Sequence, residues 1–206
     1  MTDVDFAPLV RAGLDRAGAH VEAATIDRLA RYLSLLRRWN RKINLTAFDL
    51  DEPTDHAIDR LVVEAVVAAG EVLATDRVAV DVGSGGGSPA LPLKIARPDL
   101  AMTLVESRVR KSAFLREAIR DLDLAGVAVE TTRLDRDGLA RLNGTADVVT
   151  MRAVRGDADT LAGVRALLAP TGRLFWFRDD GDVAVETPGW SWLRPNASLQ
   201  VGKYVG

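Results

Sequence analysis

The spacing of apolar residues changes near residue 75 and divides the chain into two parts. In residues 25–40, apolar side chains recur every three or four positions, which is the spacing of one face of an amphipathic helix. The stripe consists of Ile26, Leu29, Leu33, Leu36 and Trp39. Residues 55–69 repeat this spacing, with Ile58 and Leu61 among the apolar positions. The pattern therefore predicts that the first 75 residues are helical throughout.

From residue 77 the pattern changes to short runs rich in β-branched residues, separated by helical stretches. The predicted strands are residues 78–82, 101–106, 127–132, 147–151 and 173–177. The predicted helices between them are residues 89–96, 108–122 and 157–168. This alternation indicates right-handed βαβ units and a mainly parallel sheet. Residues 198–205 predict one further strand, with an antiparallel orientation.

Composition excludes several kinds of site. The 206 residues include no cysteine and two histidines, so disulfides, thiolate chemistry and a histidine-rich metal centre are not expected. Lys and Arg number 27 against 29 Asp and Glu, so a nucleic-acid partner would have to meet a local basic patch. The acidic N-terminus does not resemble a signal peptide, and no apolar stretch approaches the roughly 20 residues of a membrane span. We expect a cytoplasmic protein with neither a membrane nor a metal partner.

A glycine-rich segment, VDVGSGGGSPALPLK (80–94), follows the first predicted strand. In open α/β sheets, ligands bind at this carboxyl edge. A phosphate-binding P-loop is excluded, because no Lys-Ser or Lys-Thr pair follows the glycines. A dinucleotide fingerprint fits at Gly83 and Gly85, but Ser88 occupies its third glycine position. That interpretation remains open as the lesser alternative, and glycine-rich loops can also be plain tight turns.

The spacing acidic-x-Gly-x-Gly-x-Gly matches better, at Asp81, Gly83, Gly85 and Gly87. This is the loop of S-adenosylmethionine-dependent methyltransferases. The cofactor has no pyrophosphate, but it carries an amino group that a carboxylate such as Asp81 can attract. Glu106 ends the second predicted strand, where it can accept hydrogen bonds from ribose hydroxyls. An adenosyl-ligand site is therefore predicted.

Five segments in register resemble the RsmG (GidB) methyltransferases of bacteria. They are LLRRWNRKINLTA (35–47), HAIDRL (56–61), DVGSGGGSPALPLKIARPD (81–99), LVESRVRKSAFLREAIRDLDL (104–124) and DVVTMRAV (147–154). The resemblance implies a class I methyltransferase fold, with a Rossmann-like seven-stranded sheet in residues 76–206 and an N-terminal helical extension in residues 1–75. It also implies methylation of N7 of a guanine in 16S ribosomal RNA, near the decoding region, on free RNA or on the 30S subunit. We expect the protein to be a monomer.

The resemblance also assigns cofactor contacts by position. They are Gly83, Ser88, Leu134, Asp135 and Arg152, the last of which is also the expected catalytic residue. Guanine N7 carries an in-plane lone pair, so no general base is required. The enzyme has to expose the base and align it with the methyl group.

Basic residues form two clusters that could contact RNA. The first cluster comprises Arg37, Arg38, Arg41 and Lys42, and the expected substrate-binding residues are Arg37, Arg38, Arg41, Asn44 and Arg178. A second cluster comprises Arg108, Arg110, Lys111, Arg116 and Arg120. Basic residues on amphipathic helices are usually solvated, and which cluster meets phosphate is left open. Trp176, Trp190 and Trp192 could stack on an extruded base, or belong to the core.

Three positions depart from the family pattern on the expected substrate side. Met151 replaces a serine beside the expected pocket, and Arg178 with Asp179 replaces a Lys-Gly pair. Three alternatives therefore stay open: a divergent methyltransferase acting on another RNA, one acting on a small molecule, and a non-catalytic relative that binds ribosome or nucleotide.

Overall fold

The computed structural model describes residues 4–134, 137–178 and 187–205, and these residues form a seven-stranded sheet. Its strands are β1 (Val78–Val82), β2 (Ala101–Val105), β3 (Val127–Glu130), β4 (Ala146–Arg152), β5 (Leu168–Phe177), β6 (Trp190–Leu193) and β7 (Leu199–Tyr204). The spatial order is β3-β2-β1-β4-β5-β7-β6, with β1 to β5 parallel and β7 antiparallel to both β5 and β6. The order reverses beside β1, and ligands bind at such points in open α/β sheets.

Helices cover both faces of the sheet. They are α1 (Phe6–Arg16), α2 (Ala23–Asn40), α3 (Asp55–Ile58), α4 (Glu64–Ala68), α5 (Ala90–Ala96), α6 (Val109–Asp121) and α7 (Ala158–Leu167). A π-helical turn, Asp59–Val63, joins α3 to α4, and 3₁₀ turns cover Ala69–Glu71 and Asp137–Leu142. Such π turns often occur at functional sites, because the wider turn redirects side chains and carbonyls.

The five strands predicted from periodicity are confirmed, and so is the antiparallel strand near the C-terminus. The prediction that the first 75 residues are helical throughout is wrong, because residues 41–54 form turns and irregular structure. The side chain of Asn40 explains where α2 ends. Its Oδ1 accepts hydrogen bonds from the amides of Leu45 and Thr46 at 2.8 and 3.0 Å, which turns the chain back.

The N-terminal helices and the sheet share one hydrophobic core. Phe6 and Leu33 belong to the same buried cluster as Phe114 on α6 and Phe175 on β5. A second buried cluster, between the opposite sheet face and α7, contains Leu161, Val164 and Met151. Since the first cluster spans both parts of the chain, the N-terminal helices stabilise the edge of the sheet that carries the glycine loop. The division at residue 75 stays a prediction.

Candidate active site

The glycine loop that follows β1 adopts conformations that other residues disfavour. Gly83, Gly85 and Gly87 have φ angles of +74°, +50° and +87°. A Cβ atom at Gly83 would lie 2.7 Å from Cγ2 of Val154, and one at Gly87 would lie 2.5 Å from Cδ1 of Leu91. The glycines therefore have a steric role, and the backbone forms the wall of the space above the sheet.

Asp81 lies beneath this loop and is 1% exposed. Thr150 donates a hydrogen bond from Oγ1 to Asp81 Oδ1 at 2.5 Å. Among the described residues, Oδ2 has no hydrogen-bond partner although it is buried. Burial raises the pKa of Asp81 to about 6. A buried carboxylate oxygen without a donor fits a ligand that supplies an ammonium group, directly or through water.

Glu106 follows β2 and connects the glycine loop to α6. Its Oε2 accepts from the amide of Gly85 at 2.9 Å, and its Oε1 accepts from the amide of Arg108 at 2.7 Å. Each carboxylate oxygen keeps a second lone pair, so the group can still accept from a vicinal diol. The two amides hold the carboxylate in place without using its full accepting capacity.

Arg152 ends β4 and is held inside a network of buried groups. Its Nη2 lies 2.6 Å from Oε2 of Glu64, and its Nη1 donates to the carbonyl of Arg60 in the π-helical turn. The guanidinium lies 4.8 Å from the ring centroid of Phe177. Burial lowers the pKa of Arg152 to about 10, while Glu64 opposes that shift, so the group remains cationic at neutral pH.

A cleft of about 750 Å³ opens at this edge of the sheet. The predicted cofactor and substrate residues that line it are Gly83, Gly85, Ser88, Glu106, Arg152 and Arg178, and the other candidates that line it are Arg108, Lys111 and Trp176. Asp81 and Gly87 are not in its lining, although both belong to the same strand–loop segment. The volume suits a nucleoside-sized ligand with room for part of a second group. The structure thus brings most of the predicted cofactor residues together.

Other predicted residues lie elsewhere. Leu134 packs against Gly163 and lines a separate hollow beside α7, and Asp135 falls outside the described residues. Arg37 and Arg41 both bind Asp51 at 2.6 Å. Arg38 lies 3.7 Å from Glu117. With Asn44, which is exposed, these three arginines are absent from the cleft lining. Their roles stay predictions.

The residues that depart from the family pattern lie in different environments. Met151 is fully buried in the core between the sheet and α7, and it does not line the cleft, so the missing hydroxyl leaves the cleft wall unchanged. Arg178 does line the cleft, with its guanidinium 4.4 Å from the ring centroid of Trp176. Asp179 falls outside the described residues.

Sequence reasoning missed two residues of the site. Tyr32 on α2 is fully buried and donates to the carbonyl of Gly86 at 2.8 Å. Its position on the apolar stripe of α2, three residues after Leu29, could have indicated that it is buried. No feature of the sequence indicated Glu64, because its partner Arg152 is 88 residues away.

The described residues contain no group of His, Cys, Asp or Glu that could hold a metal ion. Within the same described stretches, every helix is too short or too polar to cross a membrane.

The sheet, the glycine loop and the two acidic residues are those of an S-adenosylmethionine-dependent methyltransferase. The fold is similar to that of a SAM-dependent methyltransferase from Aquifex aeolicus, with a TM-score of 0.55, 16% identity, and coverage of 74% of this chain and 92% of that one.

Sequence comparison identifies the particular family. Residues 25–184 match the family model of GidB, rRNA small subunit methyltransferase G. Ribosomal RNA small subunit methyltransferase G of Xanthomonas axonopodis pv. citri is 37% identical, over 93% of this chain and 89% of the relative. The protein of that name from Halorhodospira halophila is 41% identical, over 75% of this chain and 69% of the relative. The chain belongs to this methyltransferase family, and its cofactor is S-adenosylmethionine.

The residues present fit that cofactor. The unpartnered Oδ2 of Asp81 suits its amino group, and the remaining lone pairs of Glu106 suit its ribose hydroxyls. The glycine backbone leaves the space that side chains would fill. When bound, S-adenosylmethionine supplies an electrophilic methyl group on a sulfonium.

Proposed function

We propose that this protein methylates N7 of a guanine in 16S ribosomal RNA near the decoding region, on free RNA or on the 30S subunit, as a cytoplasmic monomer. One observation carries the proposal: the described lining of the cleft contains no free side chain that could act as a general base. Its described lining includes no histidine, and Glu106 is the one carboxylate among those residues. The amides of Gly85 and Arg108 already engage that carboxylate.

The chemistry of N7 matches this lining. N7 has a lone pair and no proton, so attack on the methyl group requires no deprotonation. The N7–carbon bond forms as the carbon–sulfur bond breaks, and the positive charge passes from sulfur to the purine ring. A ribose hydroxyl would have to lose a proton to a base. Attack by C5 of a pyrimidine commonly uses a cysteine nucleophile, and this chain has no cysteine.

The roles proposed for individual residues follow their positions. Asp81 and Glu106 orient the cofactor, and the backbone of the glycine loop excludes water from one side of it. Arg152 lies on the opposite side of β1 from Glu106, because β4 and β2 flank that strand. Its cationic group can orient the target base through O6, which accepts hydrogen bonds next to N7. Leu134 and Asp135 remain proposed cofactor contacts on the resemblance alone.

The test uses 30S subunits from cells that lack N7 methylation, incubated with the protein and radiolabelled S-adenosylmethionine. Label at a single guanine, mapped by strand cleavage at N7-methylguanine, is the expected result. Glu106→Gln should lower kcat/KM at least tenfold by weakening cofactor orientation. Glu52→Gln serves as the matched control, because Glu52 is exposed and lies outside the cleft lining.

Label on another RNA would replace the substrate assignment with that of a divergent methyltransferase. A protein that binds S-adenosylmethionine and the 30S subunit but transfers no label would be a non-catalytic relative. Either result contradicts the proposal.

A further inference from the structure

Cationic side chains are concentrated at the cleft of a protein whose net charge is −2. Among the described lining residues, one is acidic, Glu106, while six are basic. The basic ones are Arg60, Arg108, Lys111, Arg152, Arg155 and Arg178. A local excess of one sign in a concave surface attracts ligands of the opposite sign, because the low-dielectric walls focus the field.

The deepest of these cations already have internal partners. Arg60 and Arg152 share Glu64, with nitrogen–oxygen distances of 2.9 and 2.6 Å, and their side chains are 10% and 12% exposed. Arg178 lies over the ring of Trp176. These groups shape the inner cleft, and Glu64 already balances part of the charge of Arg60 and Arg152.

Two of the three basic residues at the outer part of the cleft are more exposed to solvent than the paired arginines of the inner cleft. Arg108 and Arg155 are exposed and Lys111 is half-buried. No ion pair of these three side chains is found within the described part of the chain, although the charge of Arg155 adds to the Thr160 hydrogen bonds that lower the pKa of the neighbouring Asp157. We call Arg108, Lys111 and Arg155 the rim. Nζ of Lys111 would lie 3.9 Å from a Cβ atom placed on Gly85, which puts the ammonium beside the glycine loop.

The strand order places the rim residues on both sides of the cleft opening. Arg108 and Lys111 follow β2, Arg155 follows β4, and the order β2-β1-β4 places the glycine loop between them. A chain of phosphates that contacts both sides of the rim would therefore cross above the glycine loop. An extruded base between those phosphates would point into the cleft.

The basic residues of α2 offer a weaker surface. Arg37 and Arg41 share Asp51, and Arg38 lies near Glu117. Arg37 is also 9% exposed, so a phosphate has little access to it. Binding RNA there would release few counterions, because acidic side chains already neutralise part of the charge.

We infer that the rim, Arg108, Lys111 and Arg155, binds the phosphodiester backbone of RNA on both sides of the target nucleotide. The inference rests on the proposed function and assigns the RNA contact to this surface in preference to α2. The rim then supplies sequence-independent affinity, while the inner cleft receives the base.

The test measures binding of 30S subunits by the full-length protein, and methyl transfer to them, between 50 and 200 mM KCl. Arg108→Ala/Lys111→Ala should raise KM for 30S subunits roughly five- to tenfold and reduce the slope of log Kd against log salt by about 1 to 2. The value of kcat at saturating subunit should stay within about twofold of wild type, because a phosphate contact stabilises the bound substrate and the transition state equally. Arg155→Ala should reduce the slope by about 1.

The control is Arg11→Ala/Arg28→Ala, which removes the same charge from exposed positions on α1 and α2 outside the cleft lining. It should leave the slope unchanged. Calorimetry of S-adenosylmethionine binding should give the same Kd for all variants.

Three results overturn the inference. The first is a rim variant that loses cofactor binding with an unchanged salt slope, since Lys111 would then be a cofactor ligand. The second is a slope that falls in Arg38→Ala/Arg41→Ala and not in the rim variant. The third is an equal fall in the control, which would indicate a general charge effect. Absence of transfer by the wild-type protein would instead overturn the proposed function, and binding measurements on the same samples separate the two failures.

Discussion

At the scale of single residues, Asp81 lowers the stability of the free protein and at the same time favours ligand binding. Its carboxylate is buried, receives one hydrogen bond from Thr150, and has one oxygen without a partner among the described residues. Burying a carboxylate that is only partly paired lowers the stability of the free protein. That cost is reduced when a ligand places a positive group beside the carboxylate, so Asp81 favours an amino-bearing ligand.

The pH dependence of stability tests this account. Because burial raises the folded-state pKa of Asp81 to about 6, the folded protein binds a proton more tightly than the unfolded chain. The contribution of Asp81 to stability is therefore largest below about pH 4 and falls as the pH rises to about 6. Relative to Asp81→Asn, the wild type should lose up to about 3 kcal/mol of unfolding free energy over that window.

Urea denaturation of both proteins at pH 4 to 7, without cofactor, measures the difference. A constant difference across this range would contradict an elevated pKa. At pH 7, Asp81→Asn should also bind S-adenosylmethionine at least tenfold more weakly while staying folded, since it removes the charge that attracts the amino group.

At the scale of elements, the π-helical turn Asp59–Val63 joins the N-terminal helices to the end of β4. Its Arg60 carbonyl accepts from Arg152, and the Arg60 side chain donates to Glu64 and to the carbonyl of Arg178. Glu64 thus links an element before the sheet to one inside it. The turn and β4 position Arg152 together, and neither does so by itself.

Glu64→Ala should lower the free energy of unfolding by about 3 to 5 kcal/mol, because Arg152 loses its carboxylate partner while remaining buried. Asp55→Ala is the matched control. Asp55 pairs with Arg16 at 3.2 Å but is 72% exposed, so its loss should cost less than about 1 kcal/mol. Thermal and urea unfolding measure both, and equal effects would show that Glu64 has no special role.

At the scale of the whole molecule, the N-terminal helices and the methyltransferase sheet meet at the glycine loop. The hydroxyl of Tyr32 donates to the carbonyl of Gly86, and a Cβ atom at Gly86 would lie 3.0 Å from the carbonyl oxygen of Leu45. The helical layer therefore packs directly against the loop that holds the cofactor. We expect changes in that layer to alter cofactor affinity.

Tyr32→Phe should cost about 1 kcal/mol of stability, because the Gly86 carbonyl loses its donor in a partly buried setting. It should also weaken S-adenosylmethionine binding several-fold, as the loop becomes less restrained. Ser34→Ala is the control, since Ser34 donates to Ala30 within α2 at an exposed position. Calorimetry compares the two variants. Unchanged affinity in Tyr32→Phe would contradict the proposed coupling.

Local patterns in the sequence determined the strands, the glycine loop and the acidic residues near the ends of β1 and β2. Periodicity and glycine spacing depend on residues close in the chain, so β1 was predicted with the bounds that the structure has. The turn after α2 was missed because it depends on the side chain of Asn40, which an apolar pattern does not register.

Tertiary structure alone decided which charges are available to a ligand. The sequence shows two basic clusters as equals. In the structure, Asp51 pairs with Arg37 and Arg41 and Glu117 lies near Arg38, whereas no ion pair of Arg108 or Lys111 is found among the described residues. Glu64 meets Arg152 across 88 residues of chain. Electrostatic interaction depends on distance in space and on burial, and neither is encoded in the local spacing of residues.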